Sequence, residues 1–386
     1  MNERDIETRR ESEAGKGRVG ETPELPRHAA AASPRRFRWR RQIQPTILHI
    51  VLLIGAIPIL IPFYWMLVSS VQSKDRTDQY PPQWVPIQTY YYATDENGVR
   101  RETFPPTREE NGKTQIRFMD QANKVWVPTS AVQKVEKVEP RWKNISNVFA
   151  KTGDTSSGSV EDKPFRWSDI WKAESYGRYA LNTLVLALLC VYGQIISCSL
   201  VAFGFARMRF WGKNALFLLM LATMMIPGQI YAIPAFMIYK WLGWVDTYLP
   251  LIVPAWMGGA FFVFLFRQFF MGIPLEMDEA ARIDGAGPFR VWWEILLPMA
   301  KPVAVVAGVY TFFGAWNDLF GPLIYINSDF KRTLALALTK FSNAYGQTDV
   351  PSLMAASALM MLPVLIIFFF SQKALQQGLV ISGVKG

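Results

Sequence analysis

EAARIDG, residues 279–285, and ILLP, residues 295–298, are separated by nine residues and lie between two long apolar segments. Three of the seven residues in the first stretch are charged, namely Glu279, Arg282 and Asp284, so this stretch is polar enough to lie in water. Apolar segments of about twenty residues are typical of helices that cross a membrane. The stretch therefore predicts an aqueous loop that joins two membrane spans.

The way apolar residues are distributed along the chain, rather than their average content, indicates a membrane protein. The chain has 386 residues, of which 51% are hydrophobic, and a net charge of +10. The apolar residues are gathered into long runs. The excess of Lys and Arg could indicate nucleic-acid binding, but loops on the inner side of a membrane protein carry the same excess. Cys190 and Cys198 share one apolar run, which predicts packing rather than a disulfide, and His28 and His49 are too few for a histidine-based site.

Six apolar runs predict six membrane spans with both termini in the cytoplasm. The predicted spans cover residues 45–71, 180–205, 215–239, 248–270, 302–325 and 353–370. The cations Arg207, Arg209 and Lys213 mark the inner end of the second span, since inner loops are enriched in Lys and Arg. Lys331, Arg332 and Lys340 are exceptions in the last outer loop, where they weaken this pattern locally. The protein is expected in the plasma or inner membrane.

The remaining segments differ in composition. Residues 1–44 predict a disordered, basic cytoplasmic tail, and residues 374–386 predict a cytoplasmic C-terminal tail. Residues 72–176 predict an extracytoplasmic insertion, and residues 177–373 the main membrane core. Strand-like patterns within the insertion predict a small β-rich domain, with a turn and a flexible Gly/Ser-rich loop. These patterns lie at residues 90–92, 115–118, 124–127 and 132–138, with the turn at 95–98 and the loop at 152–159.

Sequence motifs for catalysis are missing from the chain. The sequence has no GxxxxGK[ST], HExxH, paired CxxC or GxSxG element. We therefore expect no enzymatic activity, no cofactor and no metal, and any ATP that powers the protein must be bound by another subunit.

The loop at residues 271–300 predicts a helix, a turn and a second helix. Pro274 and the acidic residues Glu276, Asp278 and Glu279 suit the first helical turn, where they complement the helix dipole. Gly285 predicts the end of this helix. Residues 289–296 predict the second helix, which Pro298 and Pro302 would end. An ordinary amphipathic helix at the membrane surface fits the same residues.

The loop resembles the EAA loop of permease subunits in binding-protein-dependent ABC importers. That pattern is Glu-Ala-Ala, three residues, Gly, nine residues, Ile, one residue and Leu-Pro, and every position matches. Other segments are also similar to this family, most closely to the second permease of maltose-type transporters. They are NTL at 182–184, AFGFAR at 202–207, IP at 226–227 and 233–234, the turn 242–247, WND at 316–318 with Pro322, and residues 377–386. The insertion at 87–139, the long N-terminal tail, and Ser382 with Gly383 depart from the family pattern.

The resemblance implies a fold, a docking element and partners. The implied fold is an all-α membrane protein with six transmembrane helices, the type I ABC importer permease fold, here with a β-rich extracytoplasmic insertion. The implied partners are a second homologous permease, two cytoplasmic ATPase subunits and an extracytoplasmic substrate-binding protein. The implied element that seats in the ATPase comprises Glu279, Ala280, Ala281, Gly285, Leu297 and Pro298.

Asn317 and Asp318 are candidates for the translocation path. An ionisable group at the centre of a membrane helix costs about 2.5–3.5 kcal/mol, so Asp318 within a span invites a role. These side chains could hydrogen-bond sugar hydroxyls. Alternatively, the helix is broken near Gly321 and Pro322, and Asp318 has a structural partner close to the outer interface.

The expected function is transport of a sugar or related polyol into the cell by alternating access, driven by partner ATPases. One alternative is a secondary transporter driven by an ion gradient, which needs intramembrane carboxylates or an internal repeat. Another is a membrane-anchored binding protein that functions through residues 72–176. Asp318 is the one candidate carboxylate in a predicted span, and no repeat is evident, which disfavours the first alternative.

Overall fold

The computed structural model describes residues 36–73, 77, 83–94, 98–119, 123–150, 175–341 and 349–383. The chain divides into two units, Met1–Leu60 and Ile61–Gly386. The predicted Gly/Ser-rich loop lies outside the described residues, as does most of the predicted turn at 95–98. The first helix, α1, spans Arg36–Ser70, so it begins inside the segment predicted to be disordered up to residue 44.

The insertion contains two three-stranded antiparallel sheets, as its alternating sequence predicts. One sheet has the order β2-β1-β6 and the other the order β3-β4-β5. The strands are β1 (Ile87–Thr94), β2 (Arg100–Thr103), β3 (Arg108–Glu110), β4 (Lys113–Arg117), β5 (Lys124–Pro128) and β6 (Val132–Val138). Ile116 and Phe118 are buried between them with Ala93 and Val127. A short helix that the sequence analysis did not predict, α2 (Lys143–Ala150), follows the last strand.

The other elements that the structure describes in Ile61–Gly386 are helical. Its helices are α3 (Tyr176–Arg207), α4 (Lys213–Ala222), α5 (Ala232–Trp241), α6 (Leu249–Ile252), α7 (Ala260–Gly272), α8 (Glu276–Ile283), α9 (Pro288–Met299), α10 (Lys301–Trp316), α11 (Phe320–Tyr325), α12 (Leu334–Leu338) and α13 (Val350–Gly383). Residues 291–296 of α9 form a π-helical turn.

Four helical segments are long and apolar enough to cross a membrane. They are Pro45–Ser70, Tyr176–Arg207, Leu249–Gly272 and Val350–Gln376. The count reaches six if two bent pairs each form one span, namely Lys213–Met225 with Gly228–Trp241, and Pro288–Met299 with Lys301–Trp316. The described residues therefore support four to six spans.

Two predicted spans differ from the structure. The third is broken at Ile226 and Pro227, where the two halves meet at 91°. Ile226 has an extended backbone, and the residue before a proline is sterically biased away from the helical region. The fifth was predicted to run to residue 325, but α10 ends at Trp316 and a new helix begins at Phe320.

Prolines also act differently from the prediction in the loop at 271–300. Pro298 lies within α9, which continues to Met299, and Pro302 lies in the first turn of α10. Proline is well tolerated in a first helical turn because its missing N–H has no partner there anyway. At the other end of the chain, α13 begins at Val350 and continues to Gly383, through most of the segment predicted as a tail.

Helix α3 is central to the packing of the long helices. Its first half contributes Tyr176, Tyr179 and Ala187 to a buried cluster with α10, α12 and α13. Its second half contributes Cys198, Ala202 and Phe203 to a cluster with α7, α9 and the start of α10. Cys190 and Cys198 are buried free thiols, so the prediction of packing cysteines is confirmed.

Candidate functional site

The loop between α7 and α10 forms the predicted helix–turn–helix. Helix α8 begins with Glu276, Asp278 and Glu279 in its first turn, where carboxylates complement the helix dipole. It ends in a turn at Gly285, whose φ is +82°. The Gly285 N–H donates to the Arg282 carbonyl at 3.0 Å, and the Ala286 N–H donates to the Ala281 carbonyl at 2.9 Å. Glycine suits this turn because other residues adopt a positive φ only with strain.

A buried ion pair fixes α8 to the end of α3. Arg207 Nε lies 3.0 Å from Asp278 Oδ2, and each side chain is only 4% exposed. Arg207 also donates through Nη2 to the Ile273 carbonyl at 2.8 Å. A charge taken out of water is tolerated only when it is paired and hydrogen-bonded. The last residue of the central helix is therefore joined directly to the first turn of the loop helix.

Aromatic packing supports the second half of the loop. Trp292 and Leu296 on α9 are buried, and they pack in the same cluster as Phe266 and Phe270 of α7. The Phe289 ring lies 5.1 Å from that of Trp292, measured between centroids. Because tightly packed side chains transmit displacement with little compression, α9 and α7 should move together.

The six predicted docking residues divide into an exposed group and an anchored group. Glu279, Ala280, Gly285 and Pro298 are exposed, whereas Ala281 and Leu297 pack against the buried cluster. Ile283 is 87% exposed and Phe289 is 66% exposed. We call the surface formed by Glu279, Ala280, Ile283, Gly285 and Phe289 the loop surface. Exposed apolar side chains grouped on a protein surface commonly mark a contact with another molecule.

Two features of this site were not predicted from the sequence. The sequence marks Arg207 as a topology cue and Asp278 as a helix-dipole residue, yet their ion pair anchors the loop. The exposure of Ile283 and Phe289 was not predicted either. No local sequence pattern could have paired Arg207 with Asp278, because the two residues belong to separate helices with four others between them along the chain.

Asn317 and Asp318 occupy the break between α10 and α11. The Asn317 side chain donates to the Phe313 carbonyl at 2.9 Å, one helical turn earlier. Asp318 Oδ1 accepts from the Gly321 N–H at 3.1 Å, which satisfies one of the unpaired N–H groups at the start of α11. These contacts are those of the structural alternative, and a role in a translocation path stays a prediction.

A second ionic cluster, centred on Asp246, joins the turn after α5 to the segment that follows α11. Asp246, in a turn with φ of +59°, accepts from the N–H groups of Asn327 and Ser328 at 2.9 and 2.8 Å. It also accepts from the Ser328 hydroxyl at 2.5 Å and pairs with Lys331 Nζ at 3.1 Å. The hydrogen bond from Ser328 is the largest cause that holds the pKa of this carboxyl well below its usual range.

Comparison with known proteins places this architecture in a family. Residues 194–381 match the sequence model of the family described as the binding-protein-dependent transport system inner membrane component. The arabinooligosaccharides transport system permease protein AraQ of Bacillus subtilis (strain 168) is 33% identical over 211 residues, covering 55% of this chain and 74% of AraQ. The chain belongs to this family of ABC transporter permeases.

Further comparisons agree with this membership. The sn-glycerol-3-phosphate transport system permease protein UgpE of Shigella flexneri serotype 5b (strain 8401) is 36% identical over 206 residues, covering 53% of this chain and 73% of UgpE. A chain in the crystal structure of a bacterial ABC transporter involved in the import of the acidic polysaccharide alginate superposes with a TM-score of 0.59 at 17% identity. That superposition covers 86% of this chain and 96% of the other, and it shows a shared fold.

The family match covers only the C-terminal part of the chain, residues 194–381. It includes the loop surface, the residues Asn317 and Asp318, and the buried partner Arg207. It excludes both sheets of the insertion, which end at Val138. Among the residues that the structure describes, no three His, Cys, Asp or Glu side chains are grouped so that they could hold a metal ion.

Proposed function

We propose that this permease forms the translocation path of an ABC importer that moves a sugar or related polyol into the cell. The observation that carries the proposal is the loop surface on α8 and α9, which is exposed yet joined to α3 by the buried Arg207–Asp278 pair. The names of AraQ and UgpE refer to transport of arabinooligosaccharides and sn-glycerol-3-phosphate, which supports a sugar or polyol as the cargo.

In the proposed mechanism, two ATPase subunits bind and hydrolyse the ATP, and this chain carries force rather than chemistry. Closure of the ATPase pair pulls the loop surface. The motion passes through Arg207 to α3, and through the Trp292 packing to α7, so that the helices rotate together. Rotation against a second, homologous permease then alternates access between the two sides of the membrane.

The proposed arrangement places the loop surface and both termini in the cytoplasm. The insertion lies outside, where it forms a contact platform for the substrate-binding protein. Asn317 and Asp318 line the path near the break between α10 and α11, in addition to their capping contacts. Asp318→Asn is expected to lower substrate uptake, and full uptake by this variant would remove the residue from the path.

The loop surface is tested by purifying the tagged protein from its native membrane in mild detergent and identifying the proteins that accompany it. A P-loop ATPase and a second permease are expected. Gly285→Asp should lose the ATPase, because the substitution strains the turn and adds a negative charge to the loop surface. Gly112→Asp is the matched control, since Gly112 also has a positive φ of 72° and open surroundings, but lies in the insertion.

The main alternative is a secondary transporter driven by an ion gradient. This alternative predicts that the protein purifies alone. It also predicts that vesicles containing the reconstituted protein accumulate substrate when an ion gradient is imposed without ATP. That result would contradict the importer proposal. Retention of the ATPase by Gly285→Asp would instead leave an importer but place the docking contact elsewhere.

A further inference from the structure

A small basic pocket lies at the start of α4, on the turn that follows α3. It has a volume of about 380 Å³ and is lined by Arg209, Phe210, Gly212, Lys213, Asn214 and Ala215. The loop surface uses none of these residues. In the sequence analysis, Arg209 and Lys213 served as markers of orientation alone.

The cations around this pocket are not neutralised within the described part of the chain. No acidic residue described there forms an ion pair with Arg209, Lys213 or Arg267. Arg209 and Lys213 line the pocket together, and the Lys213 ammonium donates to the Met208 carbonyl at 2.9 Å. The Arg267 guanidinium stacks 4.2 Å from the Phe217 ring centroid, and its Nε is buried without a hydrogen-bond partner. Such a concentration of positive charge favours an anion in the pocket.

The backbone at the pocket adds further hydrogen-bond donors. Gly212 precedes α4 with a φ of +75°, and no side chain caps the helix. The first N–H groups of a helix have no partner within it, and they point toward an anion placed at its end. Helix α4 has ten residues, which is long enough for its dipole to add to the charge of Arg209 and Lys213.

Exposed apolar side chains beside the pocket indicate that the anion carries acyl chains. Trp211 is 98% exposed, and tryptophan is enriched where a protein meets the membrane–water interface. Phe210 is also exposed, as are Leu218 and Leu219 along α4. A headgroup in the pocket would therefore lie at the first turn of α4, with the exposed apolar residues of that helix available to its chains.

We infer that this pocket binds the phosphodiester headgroup of an anionic phospholipid, with Trp211 at the interface and the acyl chains along α4. Arg209, Lys213 and the α4 N-terminus hold the phosphate, and Arg267 supplies further positive charge. Basic pockets between membrane helices recognise anionic headgroups through the same chemistry. The bound lipid neutralises the charges at the junction between α3 and α4.

The full chain is purified in detergent together with the subunits that accompany it. Native mass spectrometry then measures its lipid binding. Dioleoyl phosphatidylglycerol and dioleoyl phosphatidylcholine are titrated separately. The native protein is expected to retain phosphatidylglycerol preferentially. Arg209→Gln with Lys213→Gln should weaken its binding by about thirtyfold, which is about fivefold for each removed cation.

Two matched variants separate a specific site from general charge and from loss of folding. Arg209→Lys with Lys213→Arg keeps both charges and should retain the lipid. Lys240→Gln with Lys301→Gln removes two exposed cations from other helices and should also bind phosphatidylglycerol as the native protein does. Equal affinity of the native and Arg209/Lys213 glutamine variants would overturn the inference, and so would an equal loss in the Lys240/Lys301 control.

Competition distinguishes the lipid from other anions. Inorganic phosphate, at about millimolar concentration, is expected to leave phosphatidylglycerol bound, because it lacks the apolar contacts with α4. Displacement by phosphate alone would identify a site for free phosphate and overturn the lipid assignment. Displacement by the co-purified ATPase would show instead that the basic pocket is a protein contact.

Discussion

At the scale of single residues, the Arg207–Asp278 pair is the contact with the largest consequence. Removing one partner of a buried ion pair costs about 3–5 kcal/mol, because the other charge is left uncompensated. Arg207→Met and Asp278→Asn are each expected to lower thermal stability in detergent. The double variant Arg207→Met with Asp278→Leu should recover stability, since an apolar pair often replaces a buried ion pair at little cost.

The double variant also tests whether the pair positions the loop. We expect it to remain folded but to lose part of the substrate-stimulated ATPase activity, because the hydrogen bond from Arg207 to Ile273 is also lost. Normal stimulation in a stable double variant would show that the pair is structural and does not transmit force.

Asp246 gives a pH prediction at the same scale. Its folded-state pKa is lowered, so its contribution to stability is complete above the unfolded value of about 3.9 and is lost as the pH falls through the folded value. Asp246→Asn keeps a residue type that tolerates a positive φ but removes the charge, and should cost about 1–2 kcal/mol. Thermal melts should show a constant difference between native and variant from pH 5 to 8. A difference that changes across this range would contradict the assignment.

At the scale of elements, α3 approaches the segment 253–257 closely through Gly193. A Cβ atom on Gly193 would lie 2.3 Å from the Trp256 ring, so the ring would have to move. Gly193→Ala is therefore expected to lower the free energy of unfolding by about 1–3 kcal/mol. Gly204→Ala is the control, because it lies on the same helix with nothing within 4 Å of the added atom. Equal melting temperatures for the two variants would contradict this packing.

The helices and strands differ in how well the sequence predicted them. Strand-like residues predicted β1, β4, β5 and β6, and acidic first-turn residues and glycine predicted α8 and the turn at Gly285, because all of these signals act locally. Strands β2 and β3 were not predicted. The break at Ile226 was not predicted, whereas a break near Asp318 was one of the two alternatives for the fifth span. Apolar runs do not record such breaks, because the freed backbone groups are satisfied by neighbouring parts of the fold.

At the scale of the whole molecule, the insertion is a removable unit. The Glu139 N–H donates to the Pro86 carbonyl at 3.0 Å, so both ends of residues 87–139 lie close together. Replacing these residues with a short Gly/Ser linker should leave the ATPase bound during purification. Uptake supported by the substrate-binding protein should fall, if the insertion is its contact platform. Unchanged uptake and unchanged capture of the binding protein would exclude that role.

The sequence by itself determined the membrane class, the position of the helix–turn–helix loop and four of the six strands that the structure describes in the insertion. Each of these depends on composition or spacing over a few neighbouring residues. Only the tertiary structure decided that Arg207 anchors the loop helix through Asp278. It also stacked Arg267 of α7 on Phe217 of α4. These contacts depend on how separate helices pack, since burial and charge pairing are set by the three-dimensional surroundings of each side chain.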